Sequence, residues 1–258
     1  MDTATITYGN LGTAGSNPVV GDAFDCNVDG TGYNKRFYYV SNYFDTNTKT
    51  FDNTTAVLIY SSNTIYDSNS SSVIDSDNSA AYATQSDIQA AYPNETINVG
   101  DNWHGPVTAI KNLPTTSEWS SLETKTTTRA ILAENGSMHN VTTINNHQLP
   151  TAFSYAGKAA RLLAAQELMQ GCGLNEVKYD SSNAGSLSNC NFLFEGTKYA
   201  DSSKATYGSW LETPDSANET YVFFTLSDTR SVNYTSSYAL SGFGVRPVID
   251  VPMSKIEY

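Results

Sequence analysis

Charged side chains are scarce in this chain. Asp, Glu, Lys and Arg make up 16% of its 258 residues, whereas soluble domains usually carry roughly 25%. Ser, Thr, Asn and 17 Tyr take their place, and Thr and Tyr suit the half-buried surface of a β-sheet. This composition is typical of a secreted, β-rich protein and is unusual for a cytosolic enzyme.

Positive charge is the scarcer of the two signs. The formal net charge is -12, and the longest basic run is the pair Lys35 and Arg36. The field of such an acidic protein repels phosphate backbones. We therefore expect no nucleic-acid partner, and an anionic membrane surface is disfavoured for the same reason.

Long apolar segments are missing as well. The sequence contains no run of about 18 apolar residues of the kind that spans a membrane. Its first residues lack the basic and apolar regions of a secretory signal. We expect a soluble segment without membrane contact, and an exported protein would have lost its targeting segment before Met1.

Cysteine is rare, with three in the chain. Cys172 and Cys190 flank a stretch rich in Gly, Ser and Asn that could close as a loop. We predict a disulfide between these two, because the composition indicates an oxidising compartment. The alternative is a pair of reduced, buried thiols. Cys26 has no predicted partner.

Recognisable catalytic and metal-binding motifs are absent. His104, His139 and His147 lack the spacing of a helical zinc site, and no Cys-x-x-Cys accompanies them. We expect surface or turn histidines, no cofactor, no metal and no enzymatic activity. The acidic loop that begins at Asp45 places Lys49 at a calcium-ligand position, which excludes an EF-hand but leaves an incidental calcium site open.

The first hundred residues alternate in a manner typical of strands. Residues 19–28, 36–40 and 56–60 are predicted strands of an antiparallel β unit. Residues 61–102 are rich in Ser, Asn and Asp, and we expect a long surface excursion with one short helix at residues 86–92.

Two further helices are predicted in the middle of the chain. A weak pattern follows Trp119 as far as Leu132. The clearest helix covers residues 158–170, where Leu162 and Leu168 can share one face and Gly171 would supply the left-handed stop.

The last fifty residues predict a β-meander. Its strands would be residues 207–214, 221–226, 232–235 and 244–251, and the second of these is apolar enough to be buried on both faces. Arg246 stands within the last strand. Its guanidinium must be solvated or paired with carboxylates or backbone carbonyls, so we predict a structural residue.

Several strings in the sequence resemble one family of surface proteins. They are GKAARLLAAQELMQGCG at residues 157–173, YGSWLETP from residue 207, GFGVRPVIDV from residue 242, and VGDAFDCNV, RFYYVSN and HGPVTAI in the first half. The chain resembles the extracellular part of pilin-like proteins of gut Firmicutes. Their C-terminal domain has the C-type-lectin fold, and some members are targets of diversity-generating retroelements.

The resemblance implies an α+β, C-type-lectin-like fold with antiparallel strands and one or two helices, preceded by a β-rich N-terminal portion. We expect an arm at residues 1–18, one domain at residues 19–258, and a variable-type binding region at about 205–250. Trp210 and residues 245–248 would be scaffold. Calcium-dependent sugar binding is not implied, because the Glu-Pro-Asn and Gln-Pro-Asp motifs are missing.

The implied function is ligand recognition or adhesion at the cell surface or on a pilus. The ligand would be a protein or glycan on another cell, a phage or a host, and other pilin subunits would be contacted through an N-terminal helix outside this segment. The alternatives are a structural pilin or surface subunit without variable binding, and a carbohydrate-active enzyme, since two carboxylates can converge from distant positions.

A mixture of Tyr with Ser, Asn and Asp near the C-terminus predicts the binding surface, because Tyr offers a large, rigid contact area at little cost in entropy. For the phenylalanine in this set, core packing is the competing interpretation. The predicted ligand-binding residues are Tyr221, Phe223, Asp228, Ser231, Asn233, Tyr234, Ser236 and Tyr238.

Overall fold

The computed structural model describes residues 5–6, 17–61, 80–122, 127–138, 143–144, 147–177, 187–194, 208–226, 230–237 and 243–256. Its strands are β1 (Thr5–Ile6), β2 (Ala23–Cys26), β3 (Lys35–Asp45), β4 (Thr50–Tyr60), β5 (Thr128–Ala130), β6 (Thr143–Ile144), β7 (His147–Gln148), β8 (Ala152–Ser154), β9 (Gly208–Pro214), β10 (Tyr221–Leu226), β11 (Ser231–Ser236) and β12 (Val248–Pro252). The α-helices are α1 (Gln85–Ala91) and α2 (Ala165–Cys172), and 3-10 turns lie at Ala109–Asn112, Ser188–Leu193 and Met253–Lys255.

Every ladder between these strands is antiparallel, which agrees with the predicted α+β class. Among the described residues, neither α-helix has the length and apolar character needed to cross a membrane.

The larger sheet has five strands in the order β1-β2-β3-β4-β12. The predicted N-terminal strands are confirmed here. The strand predicted at residues 244–251 forms as β12, but it pairs with β4, with Val248 opposite Ile59, and so does not complete the C-terminal meander. The meander prediction was wrong on this point because β12 needs apolar cover on both faces. Val248 packs in one core cluster, and Ile249 and Val251 pack in the other.

The smaller sheet has three strands in the order β11-β10-β9. Its middle strand, β10, is buried on both faces, as the sequence predicted. Val222 and Phe224 lie in the same core cluster as Trp210, whereas Phe223 lies in the cluster that contains α2. The indole of Trp210 donates a hydrogen bond to the Ala80 carbonyl over 2.7 Å, so this side chain is fixed inside the protein.

Helix α2 begins seven residues later than predicted. Residues 158–164 are largely extended, because their main-chain groups bond to both sheets. Arg161 exchanges two main-chain hydrogen bonds with Val248, and Leu163 forms a parallel bridge with Leu211. The predicted end of the helix was also wrong: the glycine in the left-handed conformation that ends α2 is Gly173, with φ of 70°, and not Gly171.

Gly171 lies inside α2 at a point where the helix nearly touches β3. A Cβ at this position would lie 1.9 Å from the Val40 carbonyl oxygen. Backbone cannot yield as a flexible side chain does, so α2 would have to move away from the sheet. The absence of a side chain, and not the freedom of a left-handed conformation, explains glycine here.

We expect Gly171→Ala to lower the free energy of unfolding by about 1–3 kcal/mol, the usual cost of overpacking. Urea denaturation followed by tryptophan fluorescence would measure this change. Gly100→Ala is the matched control, because the nearest atom to a Cβ there is 3.8 Å away, and its effect should stay within about 0.5 kcal/mol. Equal effects of the two substitutions would contradict the close approach of α2 to β3.

The remaining helix predictions had mixed outcomes. The short helix at residues 86–92 is confirmed as α1, with Thr84 as its N-cap. The weak helix predicted after Trp119 is wrong at residues 128–130, which form β5 against β8. The run of β-branched Thr favours a strand.

A surface excursion was predicted at residues 61–102, of which residues 62–79 lie outside the described residues. Residues 80–83 are buried, which contradicts a surface location for that part. In the predicted N-terminal arm, Thr5–Ile6 forms β1 against β2.

The prediction for Arg246 is confirmed. The side chain is buried, and its guanidinium donates to the carbonyls of Tyr60, Phe192 and Leu193. These contacts join the end of β4 and the 3-10 turn Ser188–Leu193 to the segment before β12. Burial lowers the pKa of Arg246 to about 9, so the group is still a cation at neutral pH.

Candidate functional site

The predicted binding residues do not form one continuous surface. Tyr221, Asn233, Tyr234 and Ser236 are partly exposed. Phe223 and Ser231 are buried, at 0% and 4% exposure, so neither offers a surface to a ligand. Both alternate side-chain sets of β10 pack against core, which explains why Phe223 belongs to the interior. Asp228 and Tyr238 lie outside the described residues.

Strand register divides the exposed members between the two sides of the smaller sheet. Tyr221 is paired with Ser236, and Phe223 with Tyr234, so Tyr221, Tyr234 and Ser236 lie on one side. Asn233 is paired with Phe224 and points to the other side. The prediction grouped neighbours in sequence, whereas alternation along a strand separates Asn233 from Tyr234.

The rings of Tyr221 and Tyr234 stack on each other. Their centroids are 5.1 Å apart, and their planes meet at 23°. This pair stands at the half-exposed end of β10 and β11, over a sheet whose middle strand is buried on both faces. We call Tyr221, Tyr234 and Ser236 the tyrosine surface.

The predicted disulfide between Cys172 and Cys190 is confirmed, with their Cα atoms 5.7 Å apart. Cys172 is the last residue of α2, two residues beyond the predicted end of the helix. Cys190 lies within the 3-10 turn Ser188–Leu193. The bond therefore joins α2 to the turn that supplies two of the carbonyls bound by Arg246. Cys26 is a free, buried thiol, and burial raises its pKa to about 12.

A buried group of charged residues lies beneath α2 and was not predicted. The Arg161 guanidinium contacts Glu167 at 2.7 Å and Asp250 at 2.7 Å. Burial alone would lower the pKa of Arg161, but Asp250 and Glu167 raise it well above its ordinary value. Glu167 also accepts a hydrogen bond from the Phe44 amide, so this group joins α2 to both β3 and β12.

A second buried ion pair lies nearby. Arg129 contacts Glu212 at 2.6 Å, and Tyr155 donates to the other Glu212 oxygen over 3.0 Å. Both guanidinium groups, of Arg129 and Arg161, stand over the Tyr43 ring, at 5.4 and 5.3 Å from its centroid. The sequence signal that could have revealed these pairs is the isolated charge within apolar strings, such as Asp250 in β12.

The two histidines that the structure describes differ in setting. His104 lies in a turn, which is one of the two predicted settings, but it is buried, and burial lowers its pKa. His147 is exposed and binds the Asn94 carbonyl. His139 lies outside the described residues. Within the part of the chain that the structure describes, no group of three or more His, Cys, Asp or Glu side chains is arranged to hold a metal ion.

A cleft of about 820 Å³ lies beside α2. Its walls include the turn at residues 134–136, the turn at residues 215–217 and Lys49 from the turn between β3 and β4. Gln166 donates to the carbonyls of Ala133 and Glu134, which attaches the first turn to α2. We call this the acidic cleft, because three of its charged side chains are carboxylates: Glu134, Glu176 and Asp215.

Two carboxylates in the acidic cleft are held by hydrogen bonds from the turn at residues 215–217. Glu134 accepts hydrogen bonds from the amide and the hydroxyl of Ser216. Asp215 accepts one at Oδ1 from the Ala217 amide, over 2.8 Å. Its Oδ2 is buried and has no hydrogen-bond partner among the described residues. Burial and the nearby charge of Glu134 raise the pKa of Asp215 to about 6.

Comparison with known proteins gives no relative for this chain. No protein-family model, no curated protein and no solved structure matches it.

Proposed function

We propose that this protein is an extracellular, non-enzymatic recognition domain of a pilin-like bacterial surface protein, and that its antiparallel α+β architecture is C-type-lectin-like. The scarcity of charge and the disulfide between Cys172 and Cys190 support an exported protein. The net charge of -12 disfavours nucleic acid as a partner. The arm at residues 1–18, the single domain at residues 19–258 and the variable region at about 205–250 remain predictions.

The observation that carries the proposal is the stacked pair Tyr221 and Tyr234 on the smaller sheet. Recognition needs side chains that can vary without unfolding their support. Here Phe223 and Val222 fill core on the two sides of β10, while the tyrosine surface stays partly exposed at the strand ends. Preorganised aromatic rings lose little entropy on binding a protein or a glycan.

A combined substitution of the tyrosine surface tests this function. The variant Tyr221→Ala/Tyr234→Ala/Ser236→Ala should lose at least about tenfold in affinity for its target, since aromatic contacts often dominate an interface. Fluorescently labelled protein would be applied to panels of bacterial, phage and host-cell surfaces and measured by flow cytometry. The variant should still fold, with a lower melting temperature, because the three side chains are partly exposed but Tyr234 also packs against the core cluster that contains α2.

Thr235→Ala is the matched control. It lies on the same strand, but its partner Val222 places it on the opposite side of the sheet. The control should bind like the unmodified protein. Unchanged binding by the triple variant would move the recognition site elsewhere, and a triple variant that does not fold would show that these side chains are core.

Binding and activity assays distinguish this function from the two alternatives, a structural subunit and a carbohydrate-active enzyme. A structural subunit would bind none of the surfaces in the panel. A carbohydrate-active enzyme would release sugar from a glycan panel, which we do not expect. Retroelement diversification predicts a nearby reverse transcriptase gene and a near-copy of the DNA that encodes residues 205–250, differing at template adenines.

A further inference from the structure

A loop at residues 97–104, which we call the clamp loop, is hydrogen-bonded to the turn between β9 and β10. The side chain of Asn102 is fully buried, with 0% exposure. Its Nδ2 lies 3.1, 2.8 and 2.7 Å from the carbonyl oxygens of Asp215, Asn218 and Tyr221, which share its two hydrogens. The backbone N–H of Asn102 donates to a fourth carbonyl of the same turn over 2.8 Å. Asn102 is therefore bonded along the whole length of this turn.

The clamp loop also contacts the end of β11. Ser237 follows the last residue of that strand, and its hydroxyl donates to the carbonyls of Val99 and Asp101 over 2.8 and 3.2 Å. The backbone N–H of Ser237 donates to the Thr220 carbonyl over 2.8 Å. The clamp loop is thus attached to both strands that carry the tyrosine surface, at the end where the two tyrosine rings stack.

Helix α1 fixes the clamp loop on its other side. Gln85, the first residue of α1, donates from Nε2 to the Ile97 carbonyl over 3.0 Å and accepts at Oε1 from the Val99 amide over 2.8 Å. The Trp103 side chain is buried at 5% exposure. Because the loop is attached to the core independently of the turn between β9 and β10, Asn102 can support that turn.

We propose that Asn102 is a positioning residue of the tyrosine surface, an inference that rests on the recognition function proposed above. Tyr221 is the first residue of β10, and its carbonyl accepts from both the Asn102 side chain and the Asp215 amide. These bonds fix the backbone that carries the Tyr221 ring and hold the ring in its stack on Tyr234. Rings that are ordered before a ligand arrives lose less entropy on binding. Asn102 acts through Tyr221 and is itself too buried to touch a ligand.

The chemistry of the position requires donors. Among the described residues, Asn102 Oδ1 accepts no hydrogen bond, so the bonds of this side chain to the protein run from Nδ2 to the turn. An ionised aspartate has the same size but can only accept, and it would face carbonyl oxygens. Asn102→Asp should therefore disturb the tyrosine pair at least as much as Asn102→Ala.

The stack can be measured without a ligand, by NMR of the full chain with isotope-labelled tyrosine rings. The Tyr221 signal carries a ring-current shift from Tyr234, which is defined by its loss in Tyr234→Ala. Asn102→Ala should lose most of this shift while the protein stays folded. Thr46→Ala is the matched control, because the buried Thr46 hydroxyl also bonds to backbone, at the Ala130 amide over 2.9 Å, but lies in the turn between β3 and β4. This control should keep the full shift.

Binding to the panel of bacterial, phage and host-cell surfaces is measured with the same variants. Asn102→Ala should weaken it about tenfold, because the ordering of the tyrosine rings must then occur on binding, and Thr46→Ala should bind like the unmodified protein. A panel that the unmodified protein does not bind would contradict the recognition function, and the ring-current shift then decides the role of Asn102 by itself.

Two milder variants decide the question if Asn102→Ala does not fold. Ser237→Ala and Gln85→Ala each release the clamp loop from one of its other attachments, and each should lose part of the ring-current shift. The proposal would be overturned by a full shift in folded Asn102→Ala or in both milder variants. An equal loss of the shift in Thr46→Ala, or its loss in Asn102→Ala with unchanged binding, would overturn it as well.

Discussion

Arg161→Met is expected to lower the free energy of unfolding by about 3–5 kcal/mol, the largest effect of any substitution considered. Removal of one member of a buried ion pair leaves the partner charge without compensation in a medium of low polarity. Here two carboxylates would be left, because Arg161 serves both Glu167 and Asp250.

The position of Arg161 in the fold explains why the effect should be large. Glu167 lies in the first turn of α2 and accepts from the Ala164 and Phe44 amides. Asp250 lies in β12, the last strand of the larger sheet. The Arg161 side chain thus holds the helix against the sheet, and its loss affects both elements together.

The measurement is urea denaturation of the folded protein, with Arg36→Met as the matched control. Arg36 also forms an ion pair, with Asp25, but its side chain is 31% exposed. A solvent-exposed pair contributes only about 0–1 kcal/mol. If Arg161→Met and Arg36→Met had the same small effect, the buried group beneath α2 would not have the stabilising role assigned to it.

Removal of the disulfide is expected to lower the free energy of unfolding by about 3 kcal/mol. Cys172 and Cys190 are 18 residues apart, and loop-closure entropy for a loop of that length gives this value. Without the disulfide, unfolding should begin locally at the end of α2 and the turn Ser188–Leu193, because the bond joins these two and the turn binds Arg246.

The double variant Cys172→Ala/Cys190→Ala and the reduced unmodified protein should show the same destabilisation. A reducing agent should have no effect on the double variant, which is the internal control. In the oxidised protein, one thiol should be labelled by an alkylating reagent, and only after unfolding, because Cys26 is buried and its pKa is about 12. Rapid labelling of native Cys26, or destabilisation of the double variant by reductant, would contradict this assignment.

Local patterns in the sequence were sufficient for many elements. Apolar and β-branched runs predicted β3, β4 and β10, since each strand must bury the side chains that such runs present. The short helix predicted at residues 86–92 forms as α1, and its N-cap Thr84 is a local interaction of the kind that a sequence can specify. Arg246 was predicted to be paired because a buried guanidinium needs partners whatever the fold.

Long-range pairing was decided by the tertiary structure alone. Residues 158–164 have a helical pattern, yet main-chain hydrogen bonds from Val248 to Arg161 and from Glu212 to Leu163 keep them largely extended. Beside β4, β12 buries Val248 in one core cluster and Ile249 in the other. A pattern along the chain contains no information about that choice of partner strand.

The candidate sites divide in the same way. The sequence alone determined that Tyr-rich strands lie near the C-terminus and that Cys172 and Cys190 can close a loop. Only the tertiary structure placed Tyr221 and Tyr234 on one side of the sheet, separated Asn233 from them, and brought Glu134 next to Asp215 across 81 residues of chain. Two carboxylates so distant in sequence meet only because α2 and the turns around it pack together, and that packing is a property of the whole core.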